Sequence, residues 1–198
     1  MFSCGGDDDD DDAILNYFPI ETGKWWEYEV VDTWGSTTTV QNFRIMITGE
    51  DKLENGKSVH AVEVKSKGGD HQGISGPTSL VRYASHLASG MVMFHNTLDN
   101  LEGLLIMGLP LQVGKTFQGK YSRVEIISKE TVVASTLDWG TTVVYEDCYR
   151  VDLSYSSGPE ILTIWLADKI GIVKAKGVVP KNSTLVTLGE ANLIDYSK

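Results

Sequence analysis

The feature that most constrains this chain is a period-two alternation of apolar and polar residues that returns again and again along its length. Trp26, Tyr28 and Val30 alternate with Glu27 and Glu29. Phe43, Ile45 and Ile47 are separated by Arg44 and Met46, and Val62 and Val64 flank Glu63. Tyr149, Val151, Leu153 and Tyr155 alternate with Arg150, Asp152 and Ser154. A β-strand turns successive side chains to opposite faces, so this period marks strands with one buried and one wet face. Ile161 to Ala167 and Ile172 to Lys176 continue the series. Between the runs stand turn formers: Asn55-Gly56, Gly68-Gly69-Asp70, Gly76-Pro77 and Ser157-Gly158-Pro159. Asn-Gly accepts positive φ at both central positions and is a strong hairpin marker. Helical signal is thin. Asp99 to Leu109 places Leu101, Leu104 and Leu105 at helical spacing, but Gly103 and Gly108 weaken a helix there, and a buried strand from about Leu104 is the better expectation. The fold class expected is mainly β and antiparallel, with few short helices.

Charge separates the chain into two parts. Its 198 residues carry a net charge of -10, but Asp7 to Asp12 supply six of the 27 acids. Without them 21 acids face 17 bases, a net of only -4. Nucleic-acid binding needs a concentrated basic footprint, so it is not expected. The aspartates repel one another and favour an extended, solvated segment. Residues 1–12 therefore read as an anchor region with an acidic, disordered tether, and 13–198 as a single β-rich domain. The longest apolar stretch, Leu104 to Leu111, is interrupted by Gly108 and Pro110 and is too short to span a bilayer as a helix.

The first residues, Met1-Phe2-Ser3-Cys4-Gly5-Gly6, resemble the end of a lipoprotein signal, with a small residue before the cysteine that is acylated and glycines after it. Cys4 is the expected lipidation site. The charged and apolar parts of a signal are absent, which points to a trimmed chain or an upstream start. The aspartates offer no fixed cage for a metal. The second cysteine, Cys148, falls in an expected strand and reads as a buried, inert thiol, with a disulfide to Cys4 the less favoured alternative.

One segment echoes another. Phe18-Pro19-Ile20-Glu21-Thr22-Gly23-Lys24-Trp25-Trp26 aligns with Leu109-Pro110-Leu111-Gln112-Val113-Gly114-Lys115-Thr116-Phe117, 91 residues later. Each reads as an apolar-Pro-apolar lead, a Gly-Lys turn and an aromatic strand. Proline lacks a ladder donor and suits a strand's start, and glycine permits the turn. Gly90-Met91-Val92 and Gly171-Ile172-Val173 also each follow an aromatic segment, around Tyr83 and Trp165. Two related halves, about 17–107 and 108–198, are the expected organisation.

These motifs resemble those of a loose group of uncharacterised bacterial lipoproteins and secreted proteins with repeated "PLxxGKxW"-like segments. The matching parts are Tyr17 to Trp25, Leu109 to Phe117, Gly140 to Val151 around Cys148, and Trp165 to Lys174. Trp165-Leu166 and Asp168-Lys169-Ile170 depart from the group's pattern. The resemblance implies a curved antiparallel sheet or open half-barrel, similar to periplasmic lipoprotein carriers. It implies no catalytic residues.

Motifs for chemistry fail on spacing. Gly108 to Thr116 ends in Gly-Lys-Thr, but five residues rather than four separate its glycines, and a strand rather than a helix follows. The histidines at 60, 71, 86 and 95 show no paired metal-ligand spacing, although His86 and His95 flank Gly90 and a hairpin would bring them closer. A Gly-x-Ser-x-Gly elbow is absent, and the adjacent Glu146 and Asp147 would point to opposite faces of a strand. Neither an enzyme, a cofactor nor a metal site is expected. Aromatics remain. Trp25 and Trp26 are neighbours and face opposite sides of one strand, so one of them is available to a groove. Trp25, Trp26, Trp34 and Trp165 are the candidate ligand-binding residues. The function expected is that of a lipid-anchored protein of the bacterial cell envelope, attached to the outer membrane on its periplasmic or surface side, with an apolar small molecule in a sheet groove. The alternative is a structural or interaction module that binds another envelope protein.

Overall fold

The computed structural model describes residues 17–34, 37–67, 79–87, 90–181 and 184–197. Cys4 and the aspartate run lie outside the described residues. Twelve strands follow in order: β1 (Trp25–Trp34), β2 (Thr37–Lys52), β3 (Ser58–Lys67), β4 (Ser79–His86), β5 (Met91–His95), β6 (Leu104–Gly108), β7 (Thr116–Gln118), β8 (Ser122–Ser135), β9 (Thr142–Tyr155), β10 (Ile161–Ala167), β11 (Gly171–Lys181) and β12 (Thr184–Tyr196). The mainly β expectation holds. Every element among the described residues is a strand, and all twelve join one antiparallel sheet.

The sheet order is β6-β5-β4-β3-β2-β1-β12-β11-β10-β9-β8-β7. Each half of the chain is thus a six-strand meander, and the first and last strands, β1 and β12, pair in the middle. The sheet curls until its two outer strands, β6 and β7, meet without forming a ladder. The result is a nearly closed barrel with one seam. Cross-strand partners share a face, so the alternation seen in the sequence becomes rows. Phe43, Tyr28 and Leu193 form one apolar row, and Ile126, Val151 and Ile164 another. These rows make two packed clusters, one around Leu105, Ile126, Leu153 and Leu166, the other around Trp26, Ile47, Val62 and Leu193. The facing rows carry Glu63, Lys65, Arg123, Glu125 and Arg150, all of them charged. Charge outside and hydrocarbon inside is the reverse of a barrel that faces lipid.

The seam is held by side chains instead of a ladder. Ser122 donates its hydroxyl to the Leu105 carbonyl at 2.8 Å. Lys120 and Tyr121 both reach the Glu102 carboxylate, at 2.6 and 2.7 Å. Phe117 of β7 lies directly over Gly108 of β6, in space that any side chain at 108 would occupy. The expected buried strand from Leu104 is β6, whose residues 105–108 are all buried. A strand covered on both faces reads as a continuous apolar run rather than an alternating one.

The two echoing segments have the same backbone. In each, the Lys amide bonds to the carbonyl three residues back: Lys24 to Glu21 and Lys115 to Gln112, both at 3.0 Å. In each, the Gly amide bonds to a buried isoleucine carbonyl: Gly23 to Ile47 and Gly114 to Ile126, both at 2.8 Å. Those isoleucines return the bond to Lys24 and Lys115 at 2.9 Å. The register of the next ladder then slips at the same place, after Ile47 and after Ile126. The lead-in residues differ, since the Leu109-Pro110 peptide is the cis one. Each lead also packs on the other half's glycine: Pro19 lies on Gly171 and Leu109 on Gly90.

The β8–β9 hairpin is longer than its neighbours and bends. Two bulges interrupt its ladder, between Ile126 and Ser128 and between Glu130 and Val132, and Asp147 has a φ of 56°. Beyond them the hairpin becomes an arm that reaches across the barrel wall. Glu130 accepts the Trp165 indole N–H of β10 at 2.7 Å, and Val133 accepts Lys174 of β11 at 3.3 Å. At the arm's tip, the backbone amides of Leu137 and Asp138 donate to the two carboxylate oxygens of Glu29 on β1, the second at 2.8 Å.

Candidate ligand cleft at the barrel seam

A cleft of about 480 Å³ opens where the seam reaches one end of the barrel. Strands β4, β5 and β6 contribute Arg82, Phe94 and Leu104, and the loop 96–103 contributes Asn96, Asn100 and Gly103. Across the seam stand Tyr121 from the β7–β8 turn, Tyr155 at the end of β9, and Ser157. Phe94 and Leu104 pair across the β5–β6 ladder and share a face, so they form an apolar patch together. Arg82 is placed by its neighbour: Val62 is its partner across β3–β4, and no described carboxylate is paired with it. Burial raises the Tyr155 hydroxyl above the usual phenol range, with the nearby Glu160 charge adding to the effect. The Lys120 hydrogen bond, then that of Tyr121, hold Glu102 below the usual carboxylate range, so this acid stays ionised and keeps Tyr121 at the rim.

The loop that forms one wall is fixed from behind by a buried polar group that the sequence spacing did not reveal. His95 Nδ1 lies 2.6 Å from the Asn100 carbonyl, and Nε2 lies 2.8 Å from the Ser85 hydroxyl. A carbonyl only accepts, so Nδ1 donates to Asn100, and Nε2 shares its hydrogen bond with the serine hydroxyl. Lys57 completes the chain by donating to Ser85 at 3.4 Å. Burial lowers the Lys57 ammonium below its usual range. Ser85 and His95 are closed to solvent, at 0% and 1% exposure, so this serine–histidine pair supports the wall. Gly103 is required there. Its φ is +58°, and a Cβ would come within 2.8 Å of the His95 ring. The register sets His95 opposite Tyr83 and His86 opposite Val92, so the two histidines do not form a pair across the hairpin. Among the described residues no group of His, Cys, Asp or Glu is arranged to hold a metal ion, and no helix is long and apolar enough to cross a membrane.

Of the four tryptophans singled out by the sequence, the three whose side chains are described lie elsewhere. Trp26 is buried in the core and donates to the Ile170 carbonyl at 2.6 Å. Trp25, on the opposite face, lies half-buried under the Arg44 guanidinium, 4.1 Å from its ring centroid. Trp165 is tied to Glu130, and this hydrogen bond holds the Glu130 carboxyl below the usual range. It lines a shallow 280 Å³ depression under the arm with Val133, Lys174 and Glu190. Trp34 ends β1 opposite Thr37, and its side chain lies outside the described residues. None of the described tryptophan side chains is part of the seam cleft. The sequence carried only one signal for that cleft, the Leu104 run, because Arg82, Phe94, Tyr121 and Tyr155 are spread over 74 residues.

Comparisons with known proteins add little to the geometry. No family model matches the chain, and no curated protein matches it. A solved structure similar to it is that of "a putative lipoprotein" from Parabacteroides distasonis, with a TM-score of 0.47, 11% sequence identity, and coverage of 92% of this chain and 99% of that one.

Proposed function

We propose that this chain is a lipid-anchored protein of the bacterial cell envelope, attached through Cys4 to the outer membrane, and that its barrel binds a small amphiphilic molecule in the seam cleft. The cleft carries the binding part of this reading, and the Ser3-Cys4-Gly5 segment carries the anchoring part. The cleft combines an apolar patch, two tyrosines and one arginine with no carboxylate partner among the described residues, at the seam where β6 and β7 form no ladder. Its volume lies within the range of small-molecule sites. The barrel interior is filled by the two core clusters, which favours the seam over the sheet face for a ligand. The unpaired edges of β6 and β7 support the second reading, in which an envelope protein adds a strand there.

Burying roughly 200 Å² of apolar surface contributes about 5 kcal/mol at 25 cal/mol per Å², before ordering costs are subtracted. On its own this corresponds to a dissociation constant of about 0.2 mM, so weak binding is expected. An anionic fluorescent amphiphile, anilinonaphthalene sulfonate, tests the site. Its emission should rise on binding, and Arg82→Gln and Tyr121→Ala should each weaken the binding several-fold. Equal binding by both variants and the parent protein would remove the cleft from consideration.

A further inference from the structure

The arm presents Val133, Leu137, Trp139 and Val144 to solvent, at 48%, 64%, 55% and 57% exposure. Val133 and Val144 are partners across the ladder and share the arm's outer face, while Val132 and Ala134 turn inward and are buried. Leu137 and Trp139 continue this apolar surface at the tip. Glu29 fixes the backbone of the tip through the amides of Leu137 and Asp138. An indole and branched aliphatic side chains held outward on a fixed turn suit the interfacial zone of a bilayer. Residues 130–148 include no lysine or arginine but carry Glu130, Asp138, Glu146 and Asp147, so anionic partners gain no attraction there.

The path of the chain says which surface lies within reach. Tyr17 packs edge-on against Tyr149 of this same hairpin, with ring centroids 5.6 Å apart. From Tyr149 to the tip at Gly140 is nine residues, or about 30 Å at 3.3 Å per strand residue. From Cys4 to Tyr17 is thirteen residues, which span at most about 45 Å. A lipid at Cys4 therefore keeps the arm's tip within reach of the membrane that holds it. We propose that the Leu137–Trp139 tip docks into the uncharged interfacial layer of the membrane that carries the anchor, and so orients the barrel against it. This proposal rests on anchoring through Cys4.

The test supplies the anchor chemically, so that failure of the docking and failure of the anchoring are told apart. Cys4 of the full chain is coupled to a maleimide phospholipid in dioleoylphosphatidylcholine vesicles. Cys148 is buried and its thiol is pushed up to about 11 by burial, so coupling goes to Cys4. Brominated phosphatidylcholine in the same vesicles then quenches any tryptophan within the bilayer. The tethered parent protein should be quenched, Trp139→Ala should lose most of that quenching, and added salt should not reverse it. Quenching that is the same with and without Trp139, or absent in both, overturns the proposal. So does an untethered chain that sediments as a dimer and becomes a monomer on Trp139→Asp, since a second copy would then cover the tip.

Discussion

At the scale of single residues, the barrel's most consequential polar group is Glu29. It lies in a strand whose pattern calls for a wet face, yet it is 0% exposed. A buried carboxylate is stable only when its oxygens are satisfied, and here two backbone amides of another hairpin do this. Removing the carboxylate leaves those amides without their charged acceptor. Glu29→Ala should cost about 3 kcal/mol, from two charge-assisted bonds partly offset by lost desolvation. Glu29→Gln, which keeps one good acceptor, should cost less. Urea denaturation measures both, and hydrogen exchange at Leu137 and Asp138 should speed up in each variant. Unchanged exchange there would show that the arm does not depend on Glu29.

At the scale of elements, the two Gly-Lys turns are the clearest case of one local solution used twice. Gly23 and Gly114 have φ values of +93° and +86°, and neither has an atom within 4 Å of a would-be Cβ. An alanine at either site therefore meets no clash and pays only for the unfavourable backbone region, about 1–2 kcal/mol. Gly23→Ala and Gly114→Ala should cost similar amounts, and the double variant about their sum. Denaturation midpoints would show this. A several-fold difference between the two would mean that the halves load their turns differently. Gly108 is a different case, because its constraint is the Phe117 ring rather than its backbone angle.

At the scale of the whole molecule, the unequal lengths of the strands that follow the two turns explain the seam. Strand β1 runs ten residues and pairs on both sides, with β2 and with β12. Its counterpart β7 runs three residues and pairs only with β8, because the chain turns at Gly119, whose amide bonds to the Ser122 carbonyl at 2.8 Å. Three residues are too few to complete a ladder with β6, so side chains close the barrel and leave the cleft at its end. The proposed anchor belongs to this scale too. With a complete signal, the protein should fractionate with membranes, and Cys4→Ala should release it to the soluble fraction. Two or three acyl chains hold a protein firmly where one does not. A Cys4→Ala protein that still sediments with membranes would end the anchoring proposal.

Some of this was legible in the sequence and some was not, for definite reasons. The alternation around Trp26, Phe43, Val62 and Val151 is a local pattern that only strands satisfy, so the β class followed from it. Gly23 and Gly114 announced turns because positive φ is a property of one residue. The continuous Leu104 run announced a buried strand. By contrast, opposite roles for the neighbours Trp25 and Trp26 were readable, but which of them faced the core depended on the curl of the sheet. Glu29 read as a wet-face residue because its partners, the 137–138 amides, come from another hairpin. Apart from the Leu104 run, the seam cleft had no sequence signature, since Arg82, Phe94, Tyr121 and Tyr155 meet only when twelve strands curl and β7 stops short. Local periodicity determines which face of a strand is apolar, and only the closure of the sheet decides what that face meets.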